Sequence, residues 1–173
     1  MAGCRFLSNS AYHGGAILTS GGYSTISGGI FRENSAISSA PTALGGAICS
    51  LGSNLLLSDS QFFGNSSLGS GGAAYISSKS TVAVTTGDPN SGQKADAMVR
   101  NCLIVGNTAS KDGGGISTNW YTSTFVYNST VVNNYTTGEA ISEDAVGGGL
   151  SASYGSYLKV RDSIFWDNLA DKG

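Results

Sequence analysis

The stretch Gly45–Asn65, GGAICSLGSNLLLSDSQFFGN, decides the fold, because its two ends return elsewhere at nearly the same separation. It opens on a Gly-Gly pair followed by a small and then an aliphatic residue, and it closes on Phe-x-x-Asn. The same frame spans Gly14–Asn34, GGAILTSGGYSTISGGIFREN. Further Gly-pair copies are GGAA at Gly71–Ala74, GGGI at Gly113–Ile116 and GGGL at Gly147–Leu150. The Phe-x-x-Asn pattern, with aliphatic variants, joins Phe6 to Asn9, Phe31 to Asn34, Phe62 to Asn65, Ile104 to Asn107, Val131 to Asn134 and Phe165 to Asn168. From the first Gly to the next motif Asn the separations are 20, 20, 36, 21 and 21 residues; from Asn to the next Gly pair they are 5, 11, 6, 6 and 13. A body of constant length alternates with a corner of variable length, as in stacked repeats.

Aligned on the Asn, the bodies show their side-chain logic. Eight residues before it stand Ile26, Leu57, Val99, Val126 and Val160. Six before it stand Gly3, Gly28, Asp59, Asn101, Asn128 and Asp162, all turn formers. Five before it are Cys4, Gly29, Ser60, Cys102, Ser129 and Ser163, which are small, and three before it is the Phe/Ile/Val column. Small at minus five and large at minus three is a period of two, so both point inward from one short strand. The mixed column between them (Arg5, Ile30, Gln61, Leu103, Thr130, Ile164) fits an outward face. Each body therefore reads as strand, turn, strand, turn, with no room for a helix. Alone, such a unit cannot bury its inward column; stacked on its neighbours at about 4.8 Å it can. The Asn amide carries donors and an acceptor that can bond from copy to copy. The Gly pair is expected to supply backbone angles closed to other residues. Both columns are read as fold rather than function.

Composition agrees. The 173 residues include 26 Gly, about double the usual ~7% share, and only 12% are charged. The net charge of −2 argues against nucleic acid, since counterion-release binding needs a cationic face. No run approaches the ~18 apolar residues of a membrane-spanning helix. The three cysteines, Cys4, Cys49 and Cys102, fit neither a zinc site nor a closed disulfide set, and are read as small buried apolar residues. The chain begins and ends in mid-repeat, so it is expected to be an internal piece of a longer protein, forming one domain over residues 1–173.

The combined GGAI-type and Phe-x-x-Asn motifs, covering essentially the whole chain, resemble the repeats of chlamydial polymorphic membrane proteins. More broadly the chain is similar to the right-handed parallel β-helix surface proteins of bacteria. Ile104, Val131 and Ala74 depart from the motif. The resemblance implies an all-β, right-handed, single-stranded parallel β-helix of the pectin-lyase-like kind, here about six coils. It also implies a cell-surface or secreted passenger of the bacterial outer membrane, autotransported and used in adhesion.

Three interruptions break the rhythm: an insertion at 78–97, in which 81–86 is expected to pair as an extra strand, and long corners at 35–44 and 135–146. The last carries Glu139, Glu143 and Asp144, the densest acidic group. Loops on a rigid scaffold are where binding resides, although a tolerated insertion on a solvated corner is the plainer reading. One aromatic group stands out. Trp120 and Tyr154 each lie seven residues after the first Gly of their pair in consecutive repeats, with Tyr121 and Tyr157 close by. Their rings are expected to stack on one face and hold a glycan or a peptide of a host surface protein; ordinary stacking on a capped corner is the plainer alternative.

Enzymatic β-helices need clustered carboxylates, often with Ca²⁺, and a basic residue. Here Asp59 and Asp162 share a column three repeats apart, roughly 14 Å, and Glu33 and Asp167 four apart, beyond the ~5–10 Å of paired carboxylates. His13, the single histidine, precedes the first Gly pair and has no GxSxG serine to serve; a corner role is expected. The loose Gly69-x-Gly71-x-x-Ala74 fingerprint falls in the Gly-pair column with no helix after it. Sequons at Asn65 and Asn134 belong to the ladder, so glycosylation is not expected there; a third lies at Asn128. No catalytic residue, metal or cofactor is assigned. The expectation is an adhesive stalk; the alternative is a polysaccharide lyase or hydrolase whose site is incomplete in this segment. Uncapped strand edges at both ends predict end-to-end self-association.

Overall fold

The computed structural model describes residues 1–38, 42–78, 96–138 and 146–171. Every strand in them pairs in parallel with its equivalent one repeat on, which gives four all-parallel sheets and no helix among the described residues. The first sheet stacks Arg5–Leu7, Ile30–Arg32, Gln61–Phe63, Leu103–Val105, Thr130–Val132 and Ile164–Trp166. The second stacks the two-residue strands that follow each motif Asn, from Ser10–Ala11 to Leu169–Ala170. The third holds Ile17–Ser20, Ile48–Leu51, Ala74–Ser77, Ile116–Asn119 and Leu150–Ala152, each just after a Gly pair. The fourth holds Tyr23–Ser27, Asn54–Ser58, Asp96–Arg100, Ser123–Tyr127 and Tyr157–Arg161. The architecture is a parallel β-helix solenoid.

The columns read in the sequence are the columns of the core. Phe6, Phe31, Phe62, Ile104, Val131 and Phe165 face one another in register along the first sheet. The Phe6–Phe31 and Phe31–Phe62 rings lie 4.7 Å apart and within 4° of parallel. The four inner members of the column are essentially fully buried, as are Ile26, Leu57, Val99 and Val126. At the last rung Phe165 and Val160 are exposed. Asn34, Asn65, Asn107 and Asn134 have no exposed surface. Each Nδ2 donates to the Oδ1 of the next Asn at 2.8–2.9 Å from Asn9 through Asn168. That same Oδ1 also accepts from the preceding Asn's backbone N–H. The second Nδ2 proton reaches a backbone carbonyl of the rung before, as from Asn65 to Phe31 O at 3.1 Å. A buried amide is tolerated because all its polar positions are paired.

Three expectations need adjustment. The Gly pair does not act as a unit. Its first member has a φ of +55° to +74° in all five copies. The second does not; a Cβ on Gly46 would lie 2.0 Å from Gly72 O of the next rung, and one on Gly72 2.0 Å from Gly114 O. The first glycine supplies the angle and needs space as well, since a Cβ on Gly45 would lie 1.9 Å from Ile48 O, whereas the second supplies only space, for the close approach of the next rung. Cys4 is exposed, unlike Cys49 and Cys102, because its rung has no neighbour on that side among the described residues. Each repeat also carries more strand than the strand–turn–strand–turn reading allows. Ser35–Ala36 and Tyr135–Thr136, at the start of the long corners, pair with their neighbours, and Asp96 and Ala97 at the end of the insertion pair with Ser123 and Thr124 of the next rung. The strand expected at 81–86 lies outside the described residues.

Candidate functional site

Between the third and fourth sheets the chain reverses through a tight corner that uses left-handed backbone. In the first rung Gly21 and Gly22 fill it at φ +70° and +77°. Two later rungs put aromatic residues there: Trp120 and Tyr121, both at φ +55°, and Tyr154 at φ +53°, followed by Gly155 at +70°. For a bulky L-residue that conformation costs about 1–2 kcal/mol. The Trp120 and Tyr154 rings stack at 4.4 Å and 4°, so the seven-residue offset from the Gly pair does bring them together. Tyr121 N–H donates to Tyr154 O at 3.0 Å, and Ser78 Oγ donates to Trp120 O. Thr122 Oγ braces the turn by donating to Asn119 O at 2.7 Å.

The rings stack, as the spacing predicts, but they do not lie side by side as an open two-ring surface. Rings piled along the solenoid axis cover each other's faces and show their edges outward. The open surfaces are Tyr154, 62% exposed, and Tyr121, 59% exposed. Tyr121 lies over Gly155, where a Cβ would come within 2.7 Å of its ring. Tyr157 belongs to a different contact: it meets the ring of Phe125 edge-on at 6.2 Å, and Phe125 in turn lies 6.2 Å from Tyr127. Phe125 and Tyr127 are site neighbours that the sequence reading missed. Their signal was available, since both occupy the outward positions of the alternating strand Ser123–Tyr127. Glu139, Glu143 and Asp144 lie outside the described residues.

The scaffold shifts several other titratable groups. Asp59 accepts from Asn101 Nδ2 at 3.0 Å, and that bond, with further help from serine hydroxyls, holds its carboxyl below the ordinary range. Burial pushes His13 down; its Nδ1 finds no partner among the described residues, and its ring meets Tyr12 edge-on at 4.4 Å. Burial pushes the Cys49 thiol up to about 12, the Cys102 thiol to about 11 and the Tyr75 phenol to about 12. No group of three or more His, Cys, Asp or Glu suited to a metal ion occurs among the described residues. Of the sequon residues Asn65 and Asn134 are wholly buried, while Asn128 is exposed at its corner.

The geometry gives a natural unit that runs from the left-handed corner at Asp59 or Asn101, through the first-sheet strand and the ladder Asn, to the end of the third-sheet strand. Residues 59–77 and 101–119 are two such units. They match the Chlamydia polymorphic membrane protein repeat. The matches begin and end at equivalent positions, 42 residues apart, and each contains one ladder Asn and one Gly pair. The repeat's motif residues are thus the residues that build the rung. A search of curated proteins finds no match, and a search of solved structures finds none either.

Proposed function

We propose that the chain is a stretch of a bacterial surface passenger whose solenoid displays an aromatic corner for binding a glycan or a host surface protein. The observation that carries this reading is the conformational expense at Trp120, Tyr121 and Tyr154. The first rung fills the same corner with glycine, so the backbone does not need aromatic side chains there, and strained residues persist where something other than folding selects them. Trp and Tyr suit such a role because they offer large rigid apolar area with a polar edge. The repeat match supports a surface or outer-membrane setting, and the family resemblance extends it to an extracellular, autotransported adhesin. Binding rather than turnover is proposed because the carboxylates that share a column, Asp59 with Asp162 and Glu33 with Asp167, stand three and four rungs apart, and Asp59 is tied to Asn101. A lyase or hydrolase site would show itself as release of unsaturated or reducing ends from a polysaccharide panel, with or without Ca²⁺.

The test separates a structural stack from a binding one. Tyr154→Gly keeps the left-handed corner while deleting the ring, so stability should stay within about 1 kcal/mol of the parent, relief of strain offsetting lost stacking. Trp120→Ala combined with Tyr154→Ala should lower affinity roughly tenfold, about 1.4 kcal/mol, on a glycan or host-protein array. Parental binding by the double variant would reject the corner as the site. Stacking between chains is a second proposed interaction. Phe165 and Ile164 are 40% and 62% exposed at one end and Phe6 is part-exposed at the other. Sedimentation of the 173-residue chain should therefore show concentration-dependent association; a single monomer boundary at high concentration would count against it.

A further inference from the structure

We infer that the outer face of the fourth sheet is a second binding surface, for the chain of an acidic polysaccharide. Register fixes its composition. Met98, Phe125 and Lys159 follow one another in one outward column, and Arg100, Tyr127 and Arg161 in the next. Arg100 and Arg161 are exposed, and Phe125, Tyr127 and Lys159 are half-buried, with their alternate neighbours Val99 and Val126 in the core. Three cations and two aromatic rings thus share a face about three rungs tall on a chain whose net charge is −2. No ion pair engages Lys159 or Arg161 among the described residues. Three carboxylates border the face. Asp96 begins the Asp96–Arg100 strand, Asp162 follows Arg161 at the corner, and Asp59, hydrogen-bonded to Asn101 and Ser27, also lies near enough to attract Arg100.

The pattern suits one ligand chemistry. Arg100 and Arg161 are separated by Tyr127, two rungs or about 9.6 Å at the usual strand spacing. That is close to the reach of a disaccharide, the unit over which acidic polysaccharides repeat their carboxylate or sulfate groups. Guanidinium groups bind such oxyanions with two parallel hydrogen bonds. The intervening Tyr127 and the neighbouring Phe125 offer apolar surface for the C–H face of a pyranose ring. Because the sheet repeats along the solenoid axis, a linear chain laid on that axis meets charge, ring and charge in order. This surface lies on the strands that follow the aromatic corner and does not depend on it.

Heparin is the probe, dextran the uncharged control and polyglutamate the acidic-peptide control, each tested against the full 173-residue chain by surface plasmon resonance. Heparin should bind at low salt and weaken steeply as salt rises, as released counterions require, while dextran should not bind. Arg100→Gln with Arg161→Gln should lower heparin affinity at least tenfold, and Arg161→Gln alone, at an exposed site, should give a smaller loss with an unchanged melting temperature. Trp120→Ala with Tyr154→Ala should leave heparin binding intact, which separates failure of this inference from failure of the corner reading. No heparin binding at low salt, equal binding by the arginine variants, or polyglutamate bound as tightly as heparin would each overturn it.

Discussion

Single glycines set an angle, make room or, like Gly45, do both. Gly106 has a φ of +64° with nothing within 4 Å of a built Cβ, whereas a Cβ on Gly46 would lie 2.0 Å from a carbonyl oxygen of the adjoining rung. Gly106→Ala should therefore cost about 1–2 kcal/mol, the usual penalty of left-handed backbone. Gly46→Ala should cost several kcal/mol or abolish folding, since two backbones would have to separate. Urea unfolding of the two variants checks the order. The same distinction explains why Asp59, Asn101, Asn128 and Asp162 replace glycine at one corner (φ +47° to +54°) and Ser8, Glu33, Asn133 and Asp167 replace it at another (φ +48° to +55°). Neither corner is crowded, so a side chain is strained there but not excluded. The turn-former column at minus six was legible in advance. The minus-one corner was not, because serine and glutamate disguise it.

Among the structural elements the Asn ladder has the highest stakes. Asn107 supplies the acceptor for two donors of Asn65, at 2.9 and 2.8 Å, and donates to Asn134 Oδ1 and to Phe62 O. Asn107→Ala would leave both Asn65 donors unpaired in a dry interior. At about 1–3 kcal/mol for each orphaned group, the loss should be roughly 3 kcal/mol or more, read as a lower urea midpoint. Asn107→Asp should do no better: an ionised carboxylate keeps the acceptor but has no proton to pass on, and its charge is buried. Spacing made these columns readable, because a period of two within a strand and a fixed offset from Asn specify an inward face. The same spacing put Trp120 over Tyr154 but left open which way the ring faces turn, and that depends on the rung geometry.

Across the whole molecule, burial of three weak acids couples stability to alkaline pH. Cys49, Cys102 and Tyr75 keep their protons in the fold up to about 12, 11 and 12, whereas the ordinary values are 9.0 for the thiols and 10.0 for the phenol. Above pH 9 the unfolded chain thus holds fewer protons than the native one, and stability falls as pH rises toward 11–12. The urea midpoint should be flat from pH 7 to 8.5 and should drop by pH 10.5, and Cys49→Ser with Cys102→Ser should blunt the drop. In the native state a thiol reagent should reach Cys4 first, since the other two thiols are buried.

By itself the sequence determined that this chain stacks: recurring small, aliphatic and amide residues at fixed offsets leave no other way to bury the inward column. Its near neutrality likewise gave no hint of a charged face, because composition averages over every side. Only the tertiary structure decided which outward residues become neighbours. Arg100, Tyr127 and Arg161 come from strands 27 and 34 residues apart and meet because parallel pairing carries each position onto its equivalent one rung away. The corner rings pile face to face for the same reason. The core repeats and is written in every rung, whereas a binding face is written once and exists only after the rungs are stacked.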